Sequence, residues 1–157
     1  MEASEKVKVL QAVYAGALAD AVLRMGGEGV LEKVTRQKRG EQLLLGRARA
    51  AQMGMGSPEE VFTKLSDLMG CADWAVTPDE NGDGFAASAS RCMLCMMAKK
   101  AGAQSPCHIY CLDPMEGMVR GLNQDAGFDV LSTLYEGPSC RVAVTGCKSP
   151  DGIRSEA

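Results

Sequence analysis

Aromatic side chains are scarce in this sequence: they make up 4% of the residues, as one Trp, three Tyr and three Phe. An interior so poor in rings must be filled by aliphatic residues and by the ten methionines, whose flexible thioethers suit an irregular core or an adaptable pocket. Histidine occurs once, at His108, and a lone histidine is weak evidence for chemistry by itself. Long apolar runs are missing too. No stretch approaches the ~18 apolar residues that a membrane-spanning helix requires. The opening MEASEKVKVLQ is charged where a secretion signal needs an apolar centre. Nor is there a strong charge of either sign. The 17 Lys and Arg against 20 Asp and Glu leave a formal charge of −3, so the global field draws in neither nucleic acid nor an acidic membrane. The basic stretch TRQKRG, with Arg36, Lys38 and Arg39, reads as a solvated helix face. Low-complexity blocks and clear internal repeats are absent. The expectation is a cytoplasmic protein with no nucleic-acid or membrane partner.

What is present is a globular composition, 46% apolar and 24% charged, in 157 residues. That length suits one domain with a proper core. It divides into a helical part over residues 1–69, an α+β part over 70–146 and a frayed tail over 147–157. Apolar positions at helical spacing predict a first helix from about Ser4 to Met25, broken by GGEG, and a second from about Val30 to Met53. Gly40 and Gly46 weaken the second by up to ~1 kcal/mol each unless close packing wants them there. The clearest local signal is GSPEE. Ser57 is placed to cap, Pro58 to fill the first helical position and Glu60 to complete a capping box, with Gly70 closing the helix after Met69.

The period then changes. CADWAVTP and GFAASASR flank DENGDG, which reads as two strands and a turn. Asp79, Asn81, Asp83 and Gly84 also match the start of a calcium-binding EF-hand loop. The twelfth position of such a loop needs a bidentate carboxylate and here holds Ser90, and Thr77-Pro78 stands where the incoming helix should be, so the hairpin is preferred. A helix follows from Cys92 to the closing Gly102. Ser105-Pro106 and Asp113-Pro114 predict two further helix starts, and GFDVLSTLYEGPSCRVAVTG predicts a second hairpin. The expected fold is α+β: N-terminal helices, then a four-stranded antiparallel sheet made of two hairpins with helices inserted between them.

Seven cysteines, an odd number in a chain read as cytoplasmic, argue against a disulfide framework. Four of them and His108 lie in RCMLCMMAKKAGAQSPCHIYC. Cys92 and Cys95 share a helix face, as do Cys107 and Cys111 if their segment is helical. Cys140 begins the last strand. If that strand returns over the helix carrying Cys92, five sulfurs converge, and Cys92, Cys95, Cys107, Cys111 and Cys140 become a candidate metal set. Thiolates in a tetrahedron select zinc, the alternative being an iron–sulfur cluster. For Cys71, Cys95 and Cys147 taken singly, burial is the better expectation.

SASRCMLCMMAKKAGAQSPC followed by DPMEGMVRGLNQDAGFDVLSTLYEGPSCRVAV resembles the C-terminal half of the L-2-amino-thiazoline-4-carboxylic acid hydrolase-like family. Cys92, Gly102, Cys107, Gly137 and Cys140 occupy the matching positions. The same outline is similar to the 4-vinyl reductase domain, a small-molecule-binding α+β fold, with RQKRGEQLLLGRARA as its Gly-spaced helix. The resemblance spans roughly Val30 to Val144. Cys95 and Cys111 stand outside the pattern, and the acidic residue usual after the second Cys is displaced to Asp113.

The resemblance implies a small-molecule-binding domain or a hydrolase that opens a cyclic amidine at its C–N bond. Such a hydrolase needs a thiolate nucleophile, for which Cys92 and Cys107 at helix starts qualify, and a proton shuttle, for which His108 or Asp113 qualify. Three readings follow: a small-molecule- or metal-binding domain with a cysteine cluster, an active cysteine- or zinc-dependent hydrolase, and an iron–sulfur redox carrier or sensor. The apolar stripe from Val7 to Met25 adds the expectation of a homodimer through the N-terminal helices.

Overall fold

A computed structural model describes residues 1–147; the expected tail beyond Cys147 lies outside the described residues. The chain runs α1 (Ala3–Gly27), α2 (Leu31–Gln52), α3 (Pro58–Met69), β1 (Ala75–Pro78), β2 (Gly84–Ala89), α4 (Met93–Ala101), a π-helical turn (His108–Leu112), α5 (Asp113–Leu122), β3 (Gly127–Ser132) and β4 (Cys140–Thr145). This is the α+β order read from the sequence. Local signals set most boundaries. The Ser57 hydroxyl accepts the Glu60 N–H at 3.4 Å, and Gly70 closes α3 in the left-handed region at φ 59°.

One stretch departs from expectation. Ser105-Pro106 and Asp113-Pro114 do not open two separate helices; the chain passes through the π-helical turn straight into α5. Pro114 has no N–H to offer the Tyr110 carbonyl, and the Asp113 N–H reaches back five residues to the His108 carbonyl. Asp113 is therefore a helical residue whose carboxylate faces inward, not a cap.

The four strands lie in the order β1-β2-β4-β3, all antiparallel. The two hairpins join through β2 and β4, with Phe85 opposite Val144 and Ala89 opposite Cys140. At the DENGDG turn the Asp79 N–H donates to the Gly84 carbonyl at 2.9 Å, and the Gly82 N–H to the Asp79 carbonyl at 3.0 Å. Ser90 turns its hydroxyl to Asp73, as a hairpin permits and a calcium loop does not.

Residues alternating along β2 and β4 bury Phe85, Ala87, Ala89, Cys140, Val142 and Val144 in one core with Phe62, Met115 and Val119. The scarce rings are concentrated there. Phe62 meets Trp74 and Phe85 edge-on at 5.2 and 5.6 Å and stacks on Phe128 at 6.2 Å. Helix α1 packs on α4 through Ala19, Val22, Leu94 and Ala98, so its inner face covers a helix and not the sheet.

Helices α2 and α5 cross at glycine. A Cβ on Gly46 would stand 1.8 Å from the Gly117 carbonyl oxygen, and one on Gly117 would stand 2.2 Å from that of Gln42. Close packing does want Gly46, whereas a Cβ on Gly40 meets nothing within 4 Å. Beside the crossing, Arg39 donates to Asp113 at 3.1 Å and to Glu116 at 2.6 Å, and Arg120 to Glu116 at 2.9 Å, which pairs both buried carboxylates.

Candidate functional site

Six of the seven cysteines gather where the first hairpin, the start of α4 and the segment before α5 meet. Cys92 leaves β2 and serves as the N-cap of α4; its sulfur accepts the Cys95 N–H at 3.4 Å. Its backbone is fixed from the hairpin side. The Asp73 carboxylate accepts the Ser90 N–H at 2.8 Å, the Arg91 N–H at 2.9 Å and the Ser90 hydroxyl at 2.6 Å. Those bonds, the Ser90 hydroxyl foremost, hold the Asp73 carboxyl down at about 2. Ala72 pairs with Cys92 as an isolated antiparallel bridge, and the Cys71 carbonyl accepts the Met93 N–H at 2.8 Å.

This pairing places the Cys71 sulfur 3.6 Å from that of Cys92 and within 3.3 Å of the Leu94 amide nitrogen. One turn along α4, the sulfur of Cys95 lies 3.5 Å from that of Cys107, whose own N–H donates to the Ser105 hydroxyl at 3.2 Å. The thiols thus stand as two contacting pairs, Cys71–Cys92 and Cys95–Cys107, linked through the interaction of Cys95 with Cys92. Cys140 lies in the core close by and accepts the Leu134 N–H at 3.1 Å, and Cys111 turns its sulfur toward that of Met115 at 3.7 Å.

Electrostatics distinguish the members of each pair. The hydrogen bond from the Cys71 thiol, then that from Cys95, pulls Cys92 well below the ordinary thiol value, and the first-turn amides of α4 add to this. Its partner Cys71 is pushed up, first by the same sulfur–sulfur hydrogen bond and then by burial. In the second pair Cys107 is lowered to about 7 by the hydrogen bond from Cys95, while Cys95 is raised. Burial pushes Cys140 up to about 11 and Cys111 up as well. Each pair therefore has one sulfur prepared for the thiolate and one for the thiol.

Two cavities meet at the outer pair. An open cleft of about 730 Å³ has Cys71, Cys92 and Cys95 on its wall, with Asp73, Arg91 and Lys99 at its polar side. A smaller space of about 90 Å³ lies between α1 and α3, bounded by Tyr14, Leu18 and Trp74, and touches Cys71 and Cys92 from behind.

The residues singled out from the sequence divide accordingly. Cys92 and Cys95 reach the cleft, Cys107, Cys111 and Cys140 lie nearby, and Cys111 borders the smaller space. His108 and Asp113 line neither cavity. The exposed imidazole is 3.0 Å from Asp113, whose carboxylate also binds Arg39 in the α2–α5 network, so the proposed proton shuttle is spent on structure. That hydrogen bond to Asp113 raises His108 above the usual imidazole value. Cys147 is buried and takes a hydrogen bond from the Asn123 amide at 3.4 Å, as expected of an inert thiol.

Cys71 is the residue that sequence reasoning missed, having assigned it to burial. Counting outward along the hairpin from DENGDG brings it beside Cys92, and that register was the available signal. Among the described residues, no group of three or more His, Cys, Asp or Glu side chains closes on a common point able to hold a metal ion. No helix of the described residues is long and apolar enough to cross a membrane. Comparison of the chain with protein-family models, with curated proteins and with solved structures gives no match.

Proposed function

We propose that this is a small-molecule-binding domain of the hydrolase-like and 4-vinyl reductase type, whose ligand enters the cleft and meets the thiols of Cys71, Cys92 and Cys95. The carrying observation is that Cys71 and, 21 residues further on, the α4 cysteines Cys92 and Cys95 share one cleft wall of ligand-sized volume. The resemblance directs the first probe. Iodoacetamide labelling of Cys92, followed by mass spectrometry, should slow when 2-aminothiazoline-4-carboxylic acid is present, while labelling of Cys147 should not change. Equal labelling of Cys92 with and without a saturating amount of that acid would remove the cyclic amidine as ligand. Turnover of the same compound would add the hydrolase reading, with Cys92 as nucleophile. His108 and Asp113 would then have no part in it, and the proton would go to solvent or to the Cys71 thiol.

Zinc binding by the same sulfurs is the second reading, favoured by the S···S contacts of 3.5 and 3.6 Å. Four thiolates around zinc stand ~3.8 Å from one another, given a Zn–S bond of about 2.3 Å. The donor chemistry suits zinc, but the sulfurs form two edges and no centre, so the pairs would have to be drawn together. An iron–sulfur cluster would draw on the same thiolates, two to an iron in a two-iron centre, and is told from zinc by its colour and its iron. Metal analysis of protein purified without oxygen decides: zinc near one per chain supports this reading, and a metal-free, fully reactive set of thiols removes it.

We further assign the exposed face of α1 to a homodimer. Leu10 is 66% exposed and Val13 63%, and Val9 and Tyr14 lie beside them on the outer face. Sedimentation of a Leu10→Glu, Val13→Glu double variant tests this: a native dimer should become a monomer, and a native monomer would end the assignment.

A further inference from the structure

The outer pair of thiols has a geometry that ligand binding does not require. Cys71 and Cys92 sit on backbones already joined by a bridge, with their sulfurs 3.6 Å apart, so a further approach of about 1.5 Å would bring them to the ~2.05 Å of a covalent bond. Both reach the open cleft, and both receive N–H groups from the first turn of α4. Cys95 and Cys107 form a similar pair at 3.5 Å, but Cys95 is only 4% exposed where it meets the cleft and Cys107, 5% exposed, does not line it, so the inner pair is less open to a disulfide than the outer one.

We propose that Cys71 and Cys92 are a dithiol centre for thiol–disulfide exchange with a low-molecular-weight disulfide that enters the cleft. The inference shares with the preceding reading only the cleft as the ligand's way in. The Cys92 thiolate attacks one sulfur of R–S–S–R, forming a mixed disulfide and expelling RS⁻. The Cys71 sulfur then attacks the Cys92 sulfur, its proton passing to a departing thiolate, and the second RS⁻ leaves. The Cys71–Cys92 bond forms and the R–S–S–R bond is lost. The chain is oxidised by two electrons and the disulfide is reduced to two thiols, so the incoming disulfide is itself the oxidant. Division of labour follows from position: Cys92, as the helix cap, is the attacking sulfur, and Cys71, held against it across the bridge, resolves the mixed disulfide.

The test uses the full chain, fully reduced, under argon, with 2-hydroxyethyl disulfide as the probe. Intact mass and peptide mapping should show the loss of two hydrogens, a Cys71–Cys92 cross-link and two mercaptoethanol molecules released per chain. Cys95 and Cys107 should remain free thiols. Cys71→Ser should stop at a mercaptoethanol adduct on Cys92 and release one molecule, and Cys147→Ser should behave as wild type. A wild-type product that carries the adduct on Cys92 and no cross-link would overturn the proposal, as would a cross-link confined to Cys95 and Cys107. These wild-type outcomes need no variant, so they decide the matter even if the Cys71→Ser chain fails to fold. Protection of Cys92 by the aminothiazoline acid without any cross-link would sink the exchange and spare the binding reading. A cross-link without such protection would do the reverse.

Discussion

Replacing Gly46 by alanine sets two effects against each other, and the structure says which wins. Helix propensity alone favours the change by about 1 kcal/mol. Against it, the new methyl would lie 1.8 Å from the Gly117 carbonyl oxygen, 2.1 Å from its carbon and 2.8 Å from the Met118 nitrogen. Closest carbon–oxygen contacts are about 3.3 Å, so α2 and α5 must separate by roughly 1.5 Å. The obstacle is backbone in the middle of a helix and cannot rotate away. A gap of even ~1 Å forfeits up to half of the dispersion attraction across an interface. This one carries the buried Ala50, Met115, Met118 and Val119 and the hydrogen bond from Gln42 to the Ile109 carbonyl. Overpacking costs of about 1–3 kcal/mol are usual, and a backbone clash belongs at the upper end, which leaves a net loss of about 2 kcal/mol. Gly40→Ala is the internal control, since nothing lies within 4 Å of its added Cβ. It should gain up to ~1 kcal/mol, so the two alanine variants should differ by about 3 kcal/mol. Urea unfolding followed by far-UV circular dichroism measures both. A Gly46→Ala chain as stable as wild type, or one ranking above Gly40→Ala, would refute the close crossing.

Iodoacetamide at about pH 6 should label Cys92 before any other cysteine, because its thiolate persists well below the ~8.5 of an ordinary thiol. Cys71→Ala removes the first cause of that lowering and should slow the labelling; a Cys92 rate that falls tenfold per pH unit below about 8.5 contradicts the assignment. His108 has a raised folded pKa, so its bond to Asp113 contributes stability that is fully present below the unfolded value of ~6.5 and is lost as pH rises through the folded one. His108→Gln should therefore lower the urea midpoint at about pH 5 more than at about pH 8.5, and an equal loss at both would remove the charged pair. Phe62 is fully buried among Trp74, Phe85 and Phe128, and Phe62→Ala should cost about 3–5 kcal/mol with a red shift of Trp74 emission. A loss below about 1 kcal/mol would mean that the ring cluster does not anchor the sheet.

Elements whose ends carry their own chemistry were legible in the sequence alone. Ser57, Pro58 and Gly70 delimit α3 by local hydrogen bonds and a left-handed cap, so a few residues sufficed. Gly102 closes α4 in the same way. Asp113-Pro114 carries equally strong start signals and misled, because the preceding turn was already helical and the missing proline N–H loosened the ladder without restarting it. Which face of α1 is buried was legible only in part. Val22 packs against α4 while Leu10 and Tyr14 face outward, and a continuous apolar stripe cannot state where its covered part ends.

For the site, linear spacing names neighbours along a helix, whereas reactivity depends on contacts between elements. Cys92 and Cys95, three apart at the start of α4, and Cys107 and Cys111, four apart, were the natural pairs by period. The fold re-partners them, because as N-cap Cys92 has extended backbone and directs its sulfur back toward the hairpin, where Ala72 pairs with it and brings Cys71 into contact. Cys95, inside the helix, meets Cys107 at 3.5 Å while still interacting with Cys92. That exchange of partners changes the chemistry on offer. Sulfurs spaced by period along a helix offer ligands to a metal, whereas the outer pair, with Cys92 lowered and Cys71 raised, also has the asymmetry that a disulfide-forming attack requires.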